Sequence, residues 1–461
     1  ILDGEKTLPT FLNNFDAPGA GPTDRIIRAE RFALSDARPI RFDLFERKVD
    51  SYYGAVVEVS RGCPFLCEFC DIRVLPGNNR SNNKDPALIV QEMDAHHKLG
   101  VTQFQFACDN FIGDIQWARQ CVAAISEWRQ KTGAKISIFT WLTINLYKLP
   151  DLMKAMREAG FSILFIGIES VNHNSLLETA KIQNCAALEE AVVEIQSYGF
   201  IIAPGFIFGF DSDKDTIFDE TLDFMERTGM IGGDPSFLMA LPGTPLFQRM
   251  KRTGRLIEDE QTPTIRMKIT TNIRYLQDSD RLADGFMRFL ARYNSPAFQA
   301  ARFDRHLDNI INSGNFVPID GVGYGSPVEY VKMQIGDADN RRMFFRRIGF
   351  LLLNPRALMA GLKARWRVAK LSSEHGDLGI HFNYWFYVWT NIVLKYAGLR
   401  RDDFELHSVD AEFDYEILVA DKATPGELPK PNIARGDTKD AHQKRYTDQA
   451  LQQLVEEHTE A

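Results

Sequence analysis

No stretch of about 18 uncharged apolar residues occurs in the sequence, so no segment is predicted to cross a membrane as a helix. A secretory signal is also absent, and six cysteines among 461 residues are too few for a disulfide-stapled secreted protein. Positive charge is not in excess either, since the net charge is −8 at pH 7, which argues against a general nucleic-acid binder. These absences predict a cytoplasmic protein whose thiols stay reduced.

Three of the few cysteines lie close together. Cys63, Cys67 and Cys70 form a C-x3-C-x2-C motif directly after a strand-like segment, residues 54–59. Thiolates are ligands of iron–sulfur clusters, and four would saturate a 4Fe-4S cube. Three thiolates leave one iron open for a ligand that is not protein.

Three other interpretations of the motif are weaker. Three cysteines cannot all pair with one another in disulfides, because their number is odd. A structural zinc site needs a fourth ligand at short spacing, and the nearest histidines, His96 and His97, lie in a helix-like stretch well downstream. A ferredoxin-type module needs a nearby fourth cysteine, and Cys108 is too far along the chain. We expect Cys108, Cys121 and Cys185 to be small buried hydrophobic residues.

The motif resembles that of the radical SAM superfamily, in which the open iron binds S-adenosylmethionine (SAM) and SAM is reductively cleaved. Phe69 fits the resemblance, because that family usually has an aromatic residue just before the third cysteine. The resemblance implies a 4Fe-4S cluster and SAM as cofactors, with Cys63, Cys67 and Cys70 as the metal ligands.

Apolar, β-branched or aromatic runs recur from about Tyr52 and predict six strands. They cover residues 55–59, 103–108, 135–141, 162–168, 200–208 and 235–241. Helical stretches alternate with them at residues 86–99, 115–131, 149–159, 186–198 and 214–227. This alternation predicts parallel strands joined by right-handed crossovers. Six units are fewer than the eight of a full TIM barrel, so we expect an α/β fold with an open, partial (β/α)6 barrel.

The sequence predicts four regions. Residues 1–46 are the end of a truncated N-terminal domain and a linker, 47–260 the barrel, 261–420 a mainly helical C-terminal domain, and 421–461 a polar tail. Within the third region, the stretch Met343 to Leu371 interleaves large apolar residues with arginines and lysines. Such a helix can lie at an anionic bilayer surface, or it can pack into the core with a solvated basic face. Both interpretations stay open.

In a parallel barrel, functional groups gather on the loops that follow the strands. Asp109 or Asn110 suits the ammonium group of SAM, Glu169 the ribose hydroxyls, and Lys181 the carboxylate. Ser170 follows Glu169 at the same strand end. Gly205 and Gly209 leave room where backbone approaches the nucleoside. The cofactor-binding prediction is therefore Phe69, Asp109, Asn110, Glu169, Ser170, Lys181, Gly205 and Gly209, and no catalytic residue is predicted.

Longer segments are similar to one subgroup, the cobalamin-dependent radical SAM enzymes with a C-terminal domain of uncharacterised function, relatives of the hopanoid methylases. These segments are residues 109–113, 165–170, 181–184, 209–213 and 241–246. Cys108 stands where the subgroup tends to have a second Asp, and Trp141 where a polar residue is common. The resemblance implies a cobalamin-binding Rossmann-like domain ahead of the barrel, with residues 4–9 as its closing strand and turn. The D-x-H-x-x-G signature is absent, and the near match at residues 94–100 is a coincidence.

The implied function is reductive cleavage of SAM followed by functionalisation of an unactivated carbon, in the form of cobalamin-dependent C-methylation of a lipid or secondary metabolite. Radical cyclisation or rearrangement without methyl transfer is the alternative within enzymes. A non-catalytic iron–sulfur protein is the alternative from another class. The expected partners are a small-molecule or lipid substrate and an electron donor such as flavodoxin or ferredoxin, with no nucleic acid. Contact with the inner membrane face follows only if the basic stretch lies on a bilayer.

Overall fold

The computed structural model describes residues 4–13, 31–46, 52, 54–75, 77–184, 187–257, 268–319 and 338–420. The predicted polar tail at 421–461, Cys185 and part of the predicted linker lie outside these residues.

The described N-terminal part is helical. Helix α1 spans Gly4–Asn13 and the short helix α2 spans Phe42–Phe45. The prediction that residues 4–9 form a closing strand and turn is therefore wrong. Leu8, Phe11 and Leu12 recur at the three- and four-residue spacing of a helix, which the strand interpretation overlooked. That this region ends a cobalamin-binding domain stays a prediction.

A parallel sheet forms the centre of the protein. Along the chain the strands are β1 (Ala55–Glu58), β2 (Ser60–Arg61), β3 (Asn82–Asn83), β4 (Gln103–Ala107), β5 (Ser137–Leu142), β6 (Phe161–Glu169), β7 (Ile201–Phe208) and β8 (Asp234–Phe237). Six of them pair in parallel in the order β1-β4-β5-β6-β7-β8, while β2 and β3 form a separate antiparallel pair. All six predicted strands and their parallel pairing are confirmed, and the fold is α/β.

Helices connect the strands, as predicted. They are α3 (Pro86–Lys98), α4 (Ile115–Thr132), α5 (Pro150–Ala159), α6 (His173–Glu178), α7 (Leu188–Ser197), α8 (Ile217–Thr228) and α9 (Pro245–Arg252). The predicted N-cap is in place, because the Asp85 side chain accepts a hydrogen bond from the Ala87 N–H at 2.8 Å. Gly133 and Gly160 end α4 and α5 in the left-handed conformation that glycine adopts without strain.

The two faces of the sheet differ in burial. Val57, Phe106 and Ile138 lie on the face that packs against the helices. Strand residues alternate between faces, so Val56, Phe139 and Trp141 lie on the other face, where they are exposed or half-buried. The second face is the open interior of the partial barrel, and the carboxyl ends of the strands lead to its mouth.

The C-terminal region is mainly helical, which confirms the predicted fold class. It contains β9 (Ile269–Tyr275), α10 (Ser279–Tyr293), α11 (Pro296–Ile311), α12 (Ala338–Leu353), α13 (Pro355–His375), α14 (Gly379–Lys395), β10 (Phe404–Ser408) and α15 (Glu416–Ala420). A second core forms here, in which Trp385 and Trp389 of α14 pack with Phe303 of α11 and reach Ile201 at the start of β7. The parallel pair β9–β10 was not predicted. Among the described residues, no helix has the length and apolarity needed to cross a bilayer.

Candidate functional site

The three clustered cysteines lie in one loop at the carboxyl end of β1. The loop backbone is anchored on both sides. The Cys63 N–H donates to the Asn78 carbonyl at 2.9 Å, and the Glu68 N–H donates to the Thr179 carbonyl at 2.9 Å. Cys67 is buried, and Cys63 and Cys70 are half-buried. The loop therefore presents three thiols from a backbone tied to distant parts of the barrel.

Entry into the loop requires a glycine. Gly62 has φ of 93°, and a Cβ there would collide with the Arg80 carbonyl oxygen. Its N–H donates to the Asp109 carboxylate at 2.5 Å. Burial raises the pKa of Asp109, and the bond from Gly62 opposes that rise. Asp109 therefore holds the cysteine loop, and the ammonium role predicted for it competes with this bond.

Two amide side chains donate toward the cysteine sulfurs. The Asn110 Nδ2 lies 3.8 Å from Cys63 Sγ, and the Gln183 Nε2 lies 3.6 Å from Cys67 Sγ. Hydrogen bonds to sulfur are a normal part of iron–sulfur sites and tune their potentials. The buried oxygens Asn110 Oδ1 and Gln183 Oε1 have no hydrogen-bond partner among the described residues. These acceptors match the needs of an ammonium group, so the residues present fit both a cluster and SAM.

The thiols of Cys63 and Cys70 resist ionisation without a counter-charge. Burial raises the pKa of Cys63, and it raises the pKa of Cys70 to about 11, with the neighbouring cysteines adding to both shifts. Lys181 acts in the opposite direction on Cys63. Iron binds the thiolate form, so a cluster would supply the positive charge that this loop lacks.

In the described part of the chain, no three His, Cys, Asp or Glu side chains close around a single metal ion. In a 4Fe-4S cube each cysteine binds a different iron. The three thiols of the loop therefore need not converge on one point to hold a cluster.

Glu169 and Lys181 form a buried ion pair near the loop. Their charged atoms are 2.7 Å apart, and the Lys181 ammonium lies 5.8 Å from the centre of the Phe69 ring. Burial by itself lowers the pKa of Lys181, but Glu169 and Cys67 outweigh burial, and the net pKa is raised. Lys181 is therefore a fixed cation already engaged by Glu169.

Glu169 reaches this position through an irregularity in the sheet. The β6–β7 register shifts between Gly167 and Glu169, and Glu169 has φ of 65°, which is unusual for a residue with a side chain. A Cβ on Gly205 would lie 3.7 Å from the Glu169 Oε2. One Glu169 oxygen thus binds Lys181 while the other lies beside Gly205. Ser170 is less available, because its hydroxyl accepts the Asn172 N–H at 3.1 Å.

The two predicted glycines have different surroundings. A Cβ on Gly205 would meet only the edge of Phe165, at 3.3 Å, and Glu169. Gly209 has φ of 92°, and a Cβ there would come within 2.5 Å of the Tyr275 ring. Internal packing alone therefore requires glycine at 209, whereas it does not at 205.

The barrel interior next to these residues is aromatic. Trp141 packs edge-on against Phe139, with ring centres 4.6 Å apart, and lies 6.4 Å from Phe165. Cys108, at the end of β4, is 3.3 Å from the Thr140 hydroxyl, and burial raises the pKa of its thiol to about 12. Cys121 is buried, as predicted, whereas Cys108 is half-buried and its thiol contacts the Thr140 hydroxyl.

Sequence reasoning missed the ionic network behind the cysteine loop. Glu68 accepts two hydrogen bonds of 2.9 Å from Arg249, which also donates to Asp211 at 2.5 Å. Arg255 makes two further bonds to Asp211, at 2.6 and 2.9 Å. Burial raises the pKa of Asp211, but Arg255 and Arg249 outweigh burial and hold it well below the ordinary range. The only sequence signal was a glutamate between two ligand cysteines.

Residues 57–225 match the Radical SAM superfamily. This match runs from β1 to α8 of the barrel. The region after it, residues 244–362, matches a domain of unknown function (DUF4070), as the sequence resemblance implied.

The curated proteins similar to this chain include methyltransferases. It is 37% identical over 265 residues to an uncharacterized methyltransferase of Synechocystis sp., which covers 57% of this chain and 48% of that protein. It is 32% identical over 258 residues to the hopanoid C-2 methylase of Rhodopseudomonas palustris, which covers 56% of this chain and 47% of the methylase. The chain thus spans about half the length of these curated relatives in the match.

One similar solved structure is the cobalamin-dependent S-adenosylmethionine radical enzyme OxsB with aqua-cobalamin and S-adenosylmethionine bound. The TM-score is 0.47 at 15% identity, over 93% of this chain and 62% of OxsB.

Proposed function

We propose that this protein is a radical SAM enzyme that cleaves SAM at a 4Fe-4S cluster and functionalises an unactivated carbon of a lipid or other small molecule, by C-methylation. The observation that carries the proposal is the cysteine loop, in which Cys63 and Cys67 each receive an amide donor and the amides keep buried, unpartnered oxygens. Buried acceptors without partners are costly, so the Asn110 and Gln183 oxygens beside the loop favour a bound donor over packing alone.

The residues divide the binding work. Cys63, Cys67 and Cys70 would hold the cluster, and the oxygens of Asn110 and Gln183 would accept from the SAM ammonium group. A cluster held there, once reduced by an electron donor, would supply one electron for cleavage of the carbon–sulfur bond of SAM to methionine and a 5′-deoxyadenosyl radical. Every other contribution is positioning by the protein.

Glu169 and the barrel interior would hold the nucleoside. The Glu169 oxygen beside Gly205 can accept from ribose hydroxyls, while the ion pair with Lys181 keeps the carboxylate oriented. Phe139, Trp141 and Phe165 line the adjacent interior, where aromatic surface excludes water from a reactive carbon. This surface also suits a bulky apolar substrate better than a charged one.

Methyl transfer rests on the names of the relatives, a methyltransferase and a hopanoid methylase. Within the described residues, the near match to a cobalamin signature does not fit a corrin, because His96 is buried against Phe42 and Phe104. Cobalamin therefore has no assigned binding site among the described residues. The use of cobalamin, and reduction of the cluster by flavodoxin or ferredoxin, are parts of the proposal that rest on the resemblance alone.

Anaerobic reconstitution tests the proposal. The full chain is loaded with iron and sulfide, incubated with SAM and dithionite, and assayed for 5′-deoxyadenosine by mass spectrometry, with and without methylcobalamin. We expect 5′-deoxyadenosine from the parent chain and from a Cys121→Ala control, and none from Cys67→Ala. An intact cluster without any SAM cleavage would instead identify a non-catalytic iron–sulfur protein. Methyl-labelled SAM fed to cells with and without the gene then separates methylation from cyclisation or rearrangement.

A further inference from the structure

Large apolar side chains are exposed on two consecutive helices of the C-terminal region. On α13, Leu362 is 55% exposed and Trp366 is 69% exposed, and on α12 Leu353 is 83% exposed. We call this set the α12–α13 face; its apolar members are Phe345, Ile348, Leu352, Leu353, Met359, Leu362 and Trp366. Monomeric proteins rarely expose so many large apolar side chains in one region without a binding role.

The burial pattern of α13 is inverted relative to an ordinary amphipathic helix. Its buried side consists of small residues and one valine: Ala357, Ala360, Gly361, Ala364 and Val368. Met359, Leu362 and Trp366 follow each other at three- and four-residue spacing, so they share the opposite side. A Cβ on Gly361 would lie 3.2 Å from the Phe386 ring, so α13 packs closely on α14 through its small residues. Met359, Leu362 and Trp366 are therefore not part of this packing.

This inversion favours the bilayer interpretation of the basic stretch. Phe350, Leu351 and Leu371 pack against the second core, but the large apolar residues of the α12–α13 face are exposed together with the charges. Residues 340–373 contain nine arginines and lysines and no Asp or Glu, in a chain whose net charge is −8. The face is therefore both apolar and strongly positive.

Five of these charges have no carboxylate partner among the described residues. Arg367 pairs with Asp304 and Asp308, and the buried Arg347 donates to Asn391 at 2.7 Å. In contrast, Arg342, Arg346, Arg356, Lys363 and Lys370 are exposed, and none of them pairs with a carboxylate of the described residues. Lys363 and Lys370 flank Trp366 within one and two turns of α13.

We propose that the α12–α13 face binds the surface of an anionic lipid bilayer, with its apolar side chains in the interfacial region and its lysines and arginines at the headgroups. Long basic side chains can keep their charges at the headgroup level while apolar neighbours enter the bilayer, and tryptophan favours that interface. A folded acidic protein would satisfy the charges but leave less reason for Trp366, Leu362 and Leu353 to stay exposed together. The proposal does not depend on the proposed chemistry, because none of these residues belongs to the candidate SAM site.

Vesicle flotation of the full chain tests this proposal. Phosphatidylcholine vesicles with a rising fraction of phosphatidylglycerol serve as the probe. We expect binding that grows with the anionic fraction and weakens with salt. Each basic residue near a charged surface contributes a factor of roughly five, so Lys363→Gln with Lys370→Gln should lower the partition coefficient roughly 25-fold. The matched control, Lys98→Gln with Lys131→Gln on α3 and α4, removes two exposed lysines elsewhere and should bind like the parent.

A second pair of variants tests the apolar part. Trp366→Ser should weaken binding at every lipid composition, whereas Leu44→Ser, at a 71% exposed position outside the face, should not. Trp366 is also a direct reporter, since Trp117, Trp128, Trp385 and Trp389 are buried and Trp141 is half-buried in the barrel interior. Its emission should shift to the blue with anionic vesicles, and the shift should vanish in Trp366→Phe.

Three outcomes would overturn the proposal. The first is binding that ignores lipid charge, and the second is equal binding by parent and Trp366→Ser. The third is a dimer in lipid-free buffer that Trp366→Ser dissociates, which would assign the face to a second copy of the chain. Loss of SAM cleavage in the parent would refute the proposed chemistry and leave these results unchanged.

Discussion

Arg249 donates two hydrogen bonds of 2.9 Å to the carboxylate of Glu68, the residue between Cys67 and Phe69. The two residues are 181 positions apart, so this pair joins the cysteine loop to α9 at the far side of the barrel. Arg249 continues to Asp211, and Asp211 to Arg255, which extends the connection to the loop after β7. The position of the cysteines therefore depends on charges that bind no iron themselves.

Arg249→Met should destabilise the fold strongly. Removing one partner of a buried ion pair leaves the other charge without compensation and costs about 3–5 kcal/mol. Denaturant unfolding measures the loss, and iron content after reconstitution should fall with it. Arg227→Met removes an exposed pair with Glu189 and should cost below about 1 kcal/mol. Equal small losses for both variants would mean that the network does not hold the loop.

Changing Cys63, Cys67 or Cys70 to Ala should abolish cluster retention, because a cube held by two thiolates exposes two irons. Cys108→Ala and Cys121→Ala should keep the brown absorbance of the parent, since burial raises the pKa of both thiols and neither belongs to the cysteine loop. Iron and sulfide analysis after anaerobic reconstitution is the measurement. Unchanged iron in Cys67→Ala would refute the assignment of the ligands.

Glu169→Gln should weaken SAM binding about 10- to 150-fold, as expected for loss of a charged hydrogen bond of about 1.5–3 kcal/mol. The substitution also leaves Lys181 buried without its partner, so the free energy of unfolding falls as well. The control variant must therefore also break a buried ion pair. Glu92→Gln is such a control, since Glu92 forms a buried 2.8 Å pair with Lys84 beneath α3. Equilibrium dialysis with folded protein should show weak SAM binding only for Glu169→Gln. Parent-like binding would reduce Glu169 to a structural role.

The pH dependence of stability should carry a contribution from Asp213. Burial raises the pKa of this carboxyl from 3.8 to about 7, and Ser175, Gly209 and Phe210 donate to it in partial compensation. The folded state thus holds the proton more tightly, so the free energy of unfolding falls as pH rises from about 4 to 7. The slope is about 1.4 kcal/mol per pH unit, and the contribution is constant above that window.

Asp213→Asn should flatten this slope, because an amide oxygen can accept the same backbone bonds without titrating. Burial also raises the pKa of Glu178, so part of the decline should persist in the variant. Asp215→Asn, at an exposed position two residues away, should unfold with the slope of the parent. Urea titrations between pH 4 and 8 provide the comparison, and parallel curves for parent and Asp213→Asn would contradict the prediction.

The sequence predicted local features well and long-range ones poorly, for physical reasons. The Asp85 cap and the β-branched strands are local, so composition and spacing revealed them. The pairing of β9 with β10 joins segments separated by more than 100 residues, and helices α10 to α14 lie between them, so no single crossover helix signals a parallel partner. The Glu68–Arg249 pair and the bulge at Glu169 are equally invisible, because they depend on tertiary contacts rather than on periodicity.

In α13, helical periodicity is visible in the sequence but does not predict which side of the helix is buried. Its large apolar residues predict a core-facing side, but Ala357, Ala360 and Ala364 occupy the core because α14 approaches closely there. The sequence contains both possible sides at helical spacing. Which one is buried is decided by the neighbouring helix.

Gly205 and Gly209 allow the predicted ligand role to be separated from packing. Gly209→Ala should destabilise the protein, because φ of 92° costs a side chain about 1–2 kcal/mol and the added Cβ meets the Tyr275 ring at 2.5 Å. Gly205→Ala should fold almost like the parent, since its Cβ would be 3.3 Å from a single Phe165 atom and otherwise enters the barrel interior. That new methyl lies beside Glu169, where the nucleoside is proposed to bind, so SAM affinity should fall although stability is kept.

Thermal unfolding and equilibrium dialysis on both variants give the comparison. If Gly205→Ala binds SAM like the parent, the nucleoside does not approach β7 at this position, and the acceptors at Asn110 and Gln183 must place SAM nearer to β4.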